Sequence, residues 1–345
     1  MQATDVLSKY RNQVWKTLEP YLCIPKFPSE FSIPKKYQSE LSFHQQIIKE
    51  YPLRQGKYLR PTLLVLTAQA MGIQITKTLL PAAAMQLSEE WILAHDDIMD
   101  DSLSRRGKPT LHRMYGTEQA VNAGDALQII MWKMLSDYSN QNLINEFYIM
   151  LARTTIGQTI EAKWTKDNKT DFTDTDWFFV ADSKTSYYTI AGPMRLGAII
   201  AKATPKQLNT IANFGIYLGR CFQLVDDILD LTSDFAGLKK QIGNDIYEGK
   251  RTVILGHLLR TTSSSDKKRL VQILSKTRDQ KTPTEVKWIL ERMHHYGSIE
   301  YAKKLASFLK EKAYSIFKTD LKFLSKQPYR GYLETLITFV LERDH

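Results

Sequence analysis

The chain has 345 residues, 43% of them apolar and 24% charged, an ordinary globular usage that excludes a disordered chain and leaves ample material for a core. Lys plus Arg exceed Asp plus Glu by 47 − 37 = +10, which favours anionic partners. Zinc-finger spacing, an RNA-binding aromatic signature and a basic arm are all missing, so nucleic acid is not expected and a phosphorylated small molecule fits better.

The first apolar positions, Val6, Leu7, Tyr10, Val14, Leu18 and Tyr21, step at three and four and predict an amphipathic helix. Pro25, Pro28 and Pro34 then predict a linker or an extended arm over residues 24–36. From Gln38 on, helical runs follow one another, with breaks expected at Gly56, Gly72, Gly107 to Pro109, Lys166 to Asp176, Gly192-Pro193, Phe235 to Gly243 and Thr261 to Asp266. Alternating β-branched stretches between hairpin turns do not appear, and no repeat of solenoid length emerges. The expected organisation is a helix and linker over residues 1–36, then one all-α domain over 37–345, a helical bundle around a central cavity. Only two cysteines occur, Cys23 and Cys221, which excludes a disulfide framework and suits a cytoplasmic location. No signal core follows Met1, and the longest uncharged run, Pro61 to Thr76, is broken by Thr67, Gln69 and Gln74. A soluble protein without a transmembrane segment is expected.

Within this helical pattern one carboxylate motif occurs twice, as Asp96-Asp97-Ile98-Met99-Asp100 and as Asp226-Asp227-Ile228-Leu229-Asp230. Residues four apart share a helix face, so Asp96 projects with Asp100 and Asp226 with Asp230. Like charges so placed repel unless something positive sits on them. An oxygen-only donor set without cysteine points to a hard divalent cation, Mg²⁺. An acidic cluster is commonly a solvated helix face, but two identical ones with basic companions are not well explained that way. Arg105-Arg106-Gly107 follows the first motif, and adjacent arginine forks can serve two different phosphates. Lys57 and Arg60 form a second cationic pair, and Lys184, Lys240 and Lys250 complete the set.

These features together resemble the trans-type isoprenyl diphosphate synthases, or polyprenyl synthetases. The first motif with its Arg105-Arg106-Gly107 sequel, Gly124-Asp125-Ala126, Lys184-Thr185, Phe222 to Asp227 and Gly249-Lys250 all match the family pattern, and the resemblance spans roughly residues 40 to 345. It implies a head-to-tail condensation of isopentenyl diphosphate with an allylic diphosphate, driven by stabilising the departing diphosphate. By the same resemblance, about three Mg²⁺ ions bridge the motifs and the allylic diphosphate. Asp96, Asp100 and Asp226 are then direct ligands, and Asp97, Asp227 and Asp230 are ligands or sit behind water. Arg105, Lys184 and Lys250 grip the allylic diphosphate and Lys240 closes over it, whereas Lys57, Arg60 and Arg106 hold isopentenyl diphosphate. Thr185 and Gln223 face the developing cation, the released pyrophosphate takes the final proton, and a homodimer is implied.

Two positions depart from the pattern. Glu89 stands where the family commonly has His or Gln against isopentenyl diphosphate, which is unfavourable unless Glu89 is protonated or paired with Lys57 or Arg60. Gln55 replaces a usual glycine, with loop freedom as its expected cost. Trp91, one turn ahead of the first motif with Ile92 beside it and Ser88 behind, resembles the chain-length plug of archaeal-type geranylgeranyl diphosphate synthases; its bland alternative is core packing. A twenty-carbon product is expected. The alternatives are a farnesyl or longer-chain synthase, a non-catalytic synthase subunit, or a class I terpene synthase, the last two disfavoured by two intact motifs.

Overall fold

The structure is a computed structural model and describes residues 2–232 and 242–341. Among these residues the fold is all-α apart from one four-residue hairpin. The helices are α1 (Ala3–Leu18), α2 (Gln38–Leu53), α3 (Leu59–Ala70), α4 (Leu79–Met99), α5 (Leu111–Tyr115), α6 (Thr117–Tyr138), α7 (Gln141–Lys166) and α8 (Asp174–Ala181). There follow α9 (Gly192–Ile200), α10 (Pro205–Thr232), α11 (Asn244–Glu248), α12 (Val253–Thr261), α13 (Ser264–Leu274), α14 (Pro283–His295), α15 (Ser298–Thr319) and α16 (Tyr329–Leu341). A π-helix, Asp182–Ala191, joins α8 to α9.

The chain forms two compact units. Unit 1 comprises Met1–Asn145, Leu196–Lys202 and Lys326–Tyr332; unit 2 comprises Glu146–Arg195, Ala203–Ser325 and Leu333–His345. In unit 1, α4 packs on α6, α1 and α3. The periodic residues Val6, Leu7, Tyr10, Val14 and Leu18 are all buried along one face of α1, and the Tyr10 hydroxyl donates to Gln69 Oε1 at 2.8 Å. Tyr21 is only half-buried and its hydroxyl reaches Asp137. Beyond Leu22 the proline-rich stretch is largely exposed, shaped only by two short 3₁₀ turns, Ser29–Phe31 and Lys35–Tyr37.

In unit 2, α10 packs along the π-helix and α15. The approach is close enough to exclude a side chain: a Cβ on Gly219 would lie 2.3 Å from the Ser186 backbone. Arg220, one residue on, fixes the start of the π-helix by donating to both oxygens of Asp182 at 2.8 and 2.5 Å.

The expected break at Gly192-Pro193 is not there. The π-helix ends at Ala191 and α9 begins at Gly192, so the proline, lacking an N–H, falls where one hydrogen-bond pattern gives way to another. The break expected at Phe235 to Gly243 lies almost wholly outside the described residues. The hairpin was also unforeseen, because a strand of two residues has no period to read.

Candidate active site

The first carboxylate motif occupies the last turn of α4, with Asp100 as its C-cap still bonded through its N–H to the Asp96 carbonyl at 2.9 Å. The second lies on α10, close to Thr232, the last residue described before Ile242. The first therefore adds negative charge where a helix already presents its negative pole, an arrangement that favours bound cations.

In unit 1, Asp96 and Asp100 are partly exposed, but Asp97 is buried. Both Asp97 oxygens are taken: Arg105 Nε lies 3.2 Å from each, Arg105 Nη2 donates to Oδ1, and the Tyr51 hydroxyl donates to Oδ2 at 2.5 Å. Tyr51 also accepts from the Leu111 N–H at 3.1 Å. Burial and the Asp97 charge push its phenol well above the ordinary range. Asp97 thus anchors Arg105 to α4.

Arg105 and Arg106 are aimed apart by the hairpin, in which Ser104–Arg105 pairs antiparallel with Lys108–Pro109. Its two turn residues, Arg106 and Gly107, have φ of 53° and 78°, the two-residue turn that matches strand twist and here places an arginine in the left-handed region. Arg54 supports it from behind, donating to the Arg105 carbonyl at 2.9 Å while paired with Glu50 at 3.1 Å. Arg106 turns onto Glu90, with Nη1 at 3.1 and 2.9 Å from its two oxygens, and onto the Tyr51 carbonyl at 3.0 Å. Gly56 makes room, since a Cβ there would lie 2.8 Å from the Arg106 guanidinium.

Glu89 is paired as the sequence required, with Oε1 3.1 Å from Arg60 Nη1 and 3.8 Å from Arg106 Nη2. Glu90, which sequence reasoning missed, is 0% exposed; burial raises its carboxyl pKa and Arg106 opposes the rise. Lys57 is exposed at the start of this segment. Gln55 costs more than loop freedom, because it is held at φ 41°, a conformation that disfavours a residue with a Cβ. Trp91 is 7% exposed and meets His95 edge-on at 5.8 Å. His95 in turn lies against Gly124 and 3.5 Å from Asp125, so the Gly124-Asp125 motif serves the packing of α6 on α4.

In unit 2, Lys184 and Thr185 lie in the π-helix, a wide turn that is frequent at functional sites. Lys184 Nζ donates to Glu161 at 2.5 Å. Thr185 donates to Gln223 Oε1 at 2.7 Å, and Gln223 Nε2 donates to Asp227 Oδ1 at 2.8 Å. This relay ties the π-helix to the second motif. Asp230 Oδ2 accepts the Asp245 N–H at 2.9 Å, docking α11 on α10. Lys250 Nζ lies 3.3 Å from Asp245 and 2.7 Å from Glu248. Asp227, Asp245 and Lys250 line one small cavity. Burial, then Asp245, raises the Asp227 carboxyl well above its usual range, and burial also raises Asp245. Glu161, Asp245 and Glu248 are the residues that sequence reasoning missed here. Asp226 is half-buried on α10, and Lys240 lies outside the described residues.

Among the described residues no group of three His, Cys, Asp or Glu side chains forms a closed metal cage. Mg²⁺ does not need one, since it is usually held by one or two carboxylates together with water and phosphate oxygens. The residues fit such an ion: the donors are hard carboxylate oxygens, and Asp227 Oδ2 is buried without a hydrogen-bond partner.

Comparison with known proteins gives the family and the fold. Residues 42–293 match the polyprenyl synthetase family. A short chain isoprenyl diphosphate synthase of Methanothermobacter thermautotrophicus is 32% identical over 294 residues, 84% of this chain and 87% of that one. The crystal structure of geranylgeranyl pyrophosphate synthetase from Pyrococcus horikoshii superposes with a TM-score of 0.82 at 26% identity, covering 99% of both chains. A geranylgeranyl pyrophosphate synthase from Corynebacterium glutamicum, complexed with isoprenyl diphosphate and magnesium, shares the fold with a TM-score of 0.83 at 24% identity, over 99% of this chain and all of that one. An all-helical prenyltransferase is the class these findings define. The chain belongs to the polyprenyl synthetase family, whose members use Mg²⁺, and it is an isoprenyl diphosphate synthase. Among the described residues no helix is long and apolar enough to cross a membrane.

Proposed function

We propose that the chain condenses isopentenyl diphosphate head-to-tail with dimethylallyl, geranyl and farnesyl diphosphates and stops at the twenty-carbon geranylgeranyl diphosphate. The observation that carries the reading is the Thr185–Gln223–Asp227 relay, which places neutral oxygens beside the second carboxylate motif. In this reading residues 37–345 act as one catalytic domain. About three Mg²⁺ ions would be held by Asp96, Asp100 and Asp226, with Asp227 and Asp230 as further ligands or behind water, and Asp97 acting through Arg105. Mg²⁺ supplies Lewis-acid and template charge for the departing diphosphate.

Arg105, Lys184 and Lys250 bind the allylic diphosphate, joined by Lys240; Lys57, Arg60 and Arg106 bind that of isopentenyl diphosphate. When the allylic C–O bond breaks, the electron pair leaves with pyrophosphate. The isopentenyl double bond then attacks the cation, and pyrophosphate takes the proton. The Thr185 hydroxyl spends its hydrogen on Gln223 and so turns lone pairs outward, where they stabilise positive charge without forming a bond to it. Trp91 closes the end of the tail channel. We place the enzyme in the cytoplasm as a homodimer. The exposed apolar residues Val121 and Ile129 on α6 and Tyr148, Ile149 and Ile156 on α7 are suited to subunit contact; light scattering at a monomer mass would remove that part.

Incubation with isopentenyl diphosphate, Mg²⁺ and each of the five-, ten- and fifteen-carbon allylic diphosphates, followed by chain-length analysis, tests the whole. Twenty-carbon product from all three is expected. Predominantly fifteen-carbon or much longer product would overturn the length assignment, and no product from any starter would overturn the catalytic one.

A further inference from the structure

Two adjacent carboxylates, Glu89 and Glu90, sit on the arginines of a pocket that must accept an anion. They are held differently. Glu90 is locked, 0% exposed, bonded to Arg106 Nη1 through both oxygens and receiving the Gln86 amide at 2.7 Å. Glu89 is held at one oxygen only: Oε1 lies 3.1 Å from Arg60 Nη1 and 3.8 Å from Arg106 Nη2, while Oε2 is buried without a hydrogen-bond partner.

A second buried polar atom lacks a partner in the same neighbourhood, the Tyr58 hydroxyl. Tyr58 is two residues before Arg60, is 1% exposed, and feels the fields of Glu90, Arg106, Glu89 and Arg11. An orphaned acceptor and an orphaned donor thus stand near one cationic pair.

We propose that Glu89 is a displaceable counter-ion of the isopentenyl diphosphate pocket. In the empty enzyme it neutralises Arg60. The incoming diphosphate takes its place on Arg60 and Arg106, and the released carboxylate is received by the Tyr58 hydroxyl. This rests on the prenyltransferase reading and adds to it a specificity device. An anion must outbid an internal ion pair to enter, which a diphosphate does through several charged oxygens and a monophosphate does poorly. Glu89 is thereby a residue that sets which phosphorylated ligands are admitted, and Tyr58 is its positioning residue.

Calorimetric binding to the full-length protein without allylic substrate tests this, with isopentenyl diphosphate and isopentenyl monophosphate as probes. Glu89→Gln should tighten diphosphate binding by about tenfold through loss of the like charge and narrow the preference over monophosphate. Tyr58→Phe should weaken diphosphate binding roughly tenfold in the wild-type background and have no effect when combined with Glu89→Gln. Should Glu89→Gln fail to fold, Glu89→His carries the same comparison. Weaker or unchanged binding in the Glu89 variant, or an equal Tyr58→Phe effect in both backgrounds, would overturn the proposal. Product formation by the wild type is scored separately. A wild type that makes product but shows no Glu89 effect loses only this inference, and one that makes none but shows the full binding pattern loses only the catalytic reading.

Discussion

Replacing Asp97 with Asn asks whether this aspartate works by holding Arg105 or by holding metal. The carboxylate is 1% exposed and Arg105 30% exposed, and the pair is completed by the 2.5 Å bond from Tyr51. The amide keeps one acceptor, loses the charge, and leaves the guanidinium without its counter-ion. Breaking a fully buried pair costs about 3–5 kcal/mol. With nearly a third of Arg105 in water, a loss of about 2–3 kcal/mol is the appropriate figure. Equilibrium denaturation without Mg²⁺ should report that loss. Steady-state kinetics should show the KM for the allylic diphosphate rising about tenfold or more as Arg105 loses its aim. The Mg²⁺ concentration for half-maximal rate should move far less than in Asp96→Asn. An unchanged stability, or a Mg²⁺ requirement displaced as far as in Asp96→Asn, would refute the positioning role.

Trp91→Ala should release products longer than twenty carbons; an unchanged product profile would assign Trp91 to packing alone. Gln55→Gly should stabilise the fold by about 0.5–1 kcal/mol, because relief of the left-handed conformation outweighs the extra freedom glycine has when unfolded; a lower denaturation midpoint would contradict this. Gly219→Ala should cost about 3 kcal/mol or disrupt the π-helix, since the Ser186 backbone stands 2.3 Å from the new methyl, and wild-type stability would show the approach to be looser. Lys276, then the Thr282 backbone, holds the Glu285 carboxyl down at about 2. Its folded value lies below the unfolded one of about 4.3, so the stability it adds is complete above that pH and drains away as pH falls toward 2. Glu285→Gln should therefore lower stability at pH 7 and flatten its acid dependence, and an unaltered acid limb would count against the assignment.

The helical architecture and both carboxylate motifs were legible because each follows a local rule: period 3.6 for the core face of α1, spacing of four for Asp96 with Asp100 and Asp226 with Asp230. What escaped the sequence depended on pairing across distance. Glu90 reads as one more charge next to Glu89, and only its burial under Arg106 reveals it as an anchor. Asp97 reads as a twin of Asp96, yet one step along α4 turns it toward Tyr51 and Arg105. The π-helix has no composition of its own, and Gly192-Pro193 signalled a stop that a change of hydrogen-bond pattern absorbed.

The π-helix also bears on how this chain tolerates length changes. In an ordinary α-helix, losing one residue turns everything beyond it by about 100°. In Asp182–Ala191 a deletion would instead tighten a wide turn into a normal one, so the fold would survive while Lys184 and Thr185 swung away from Glu161 and Gln223. A one-residue deletion in this segment is thus expected to leave a folded chain in which Lys184 and Thr185 no longer meet their present partners.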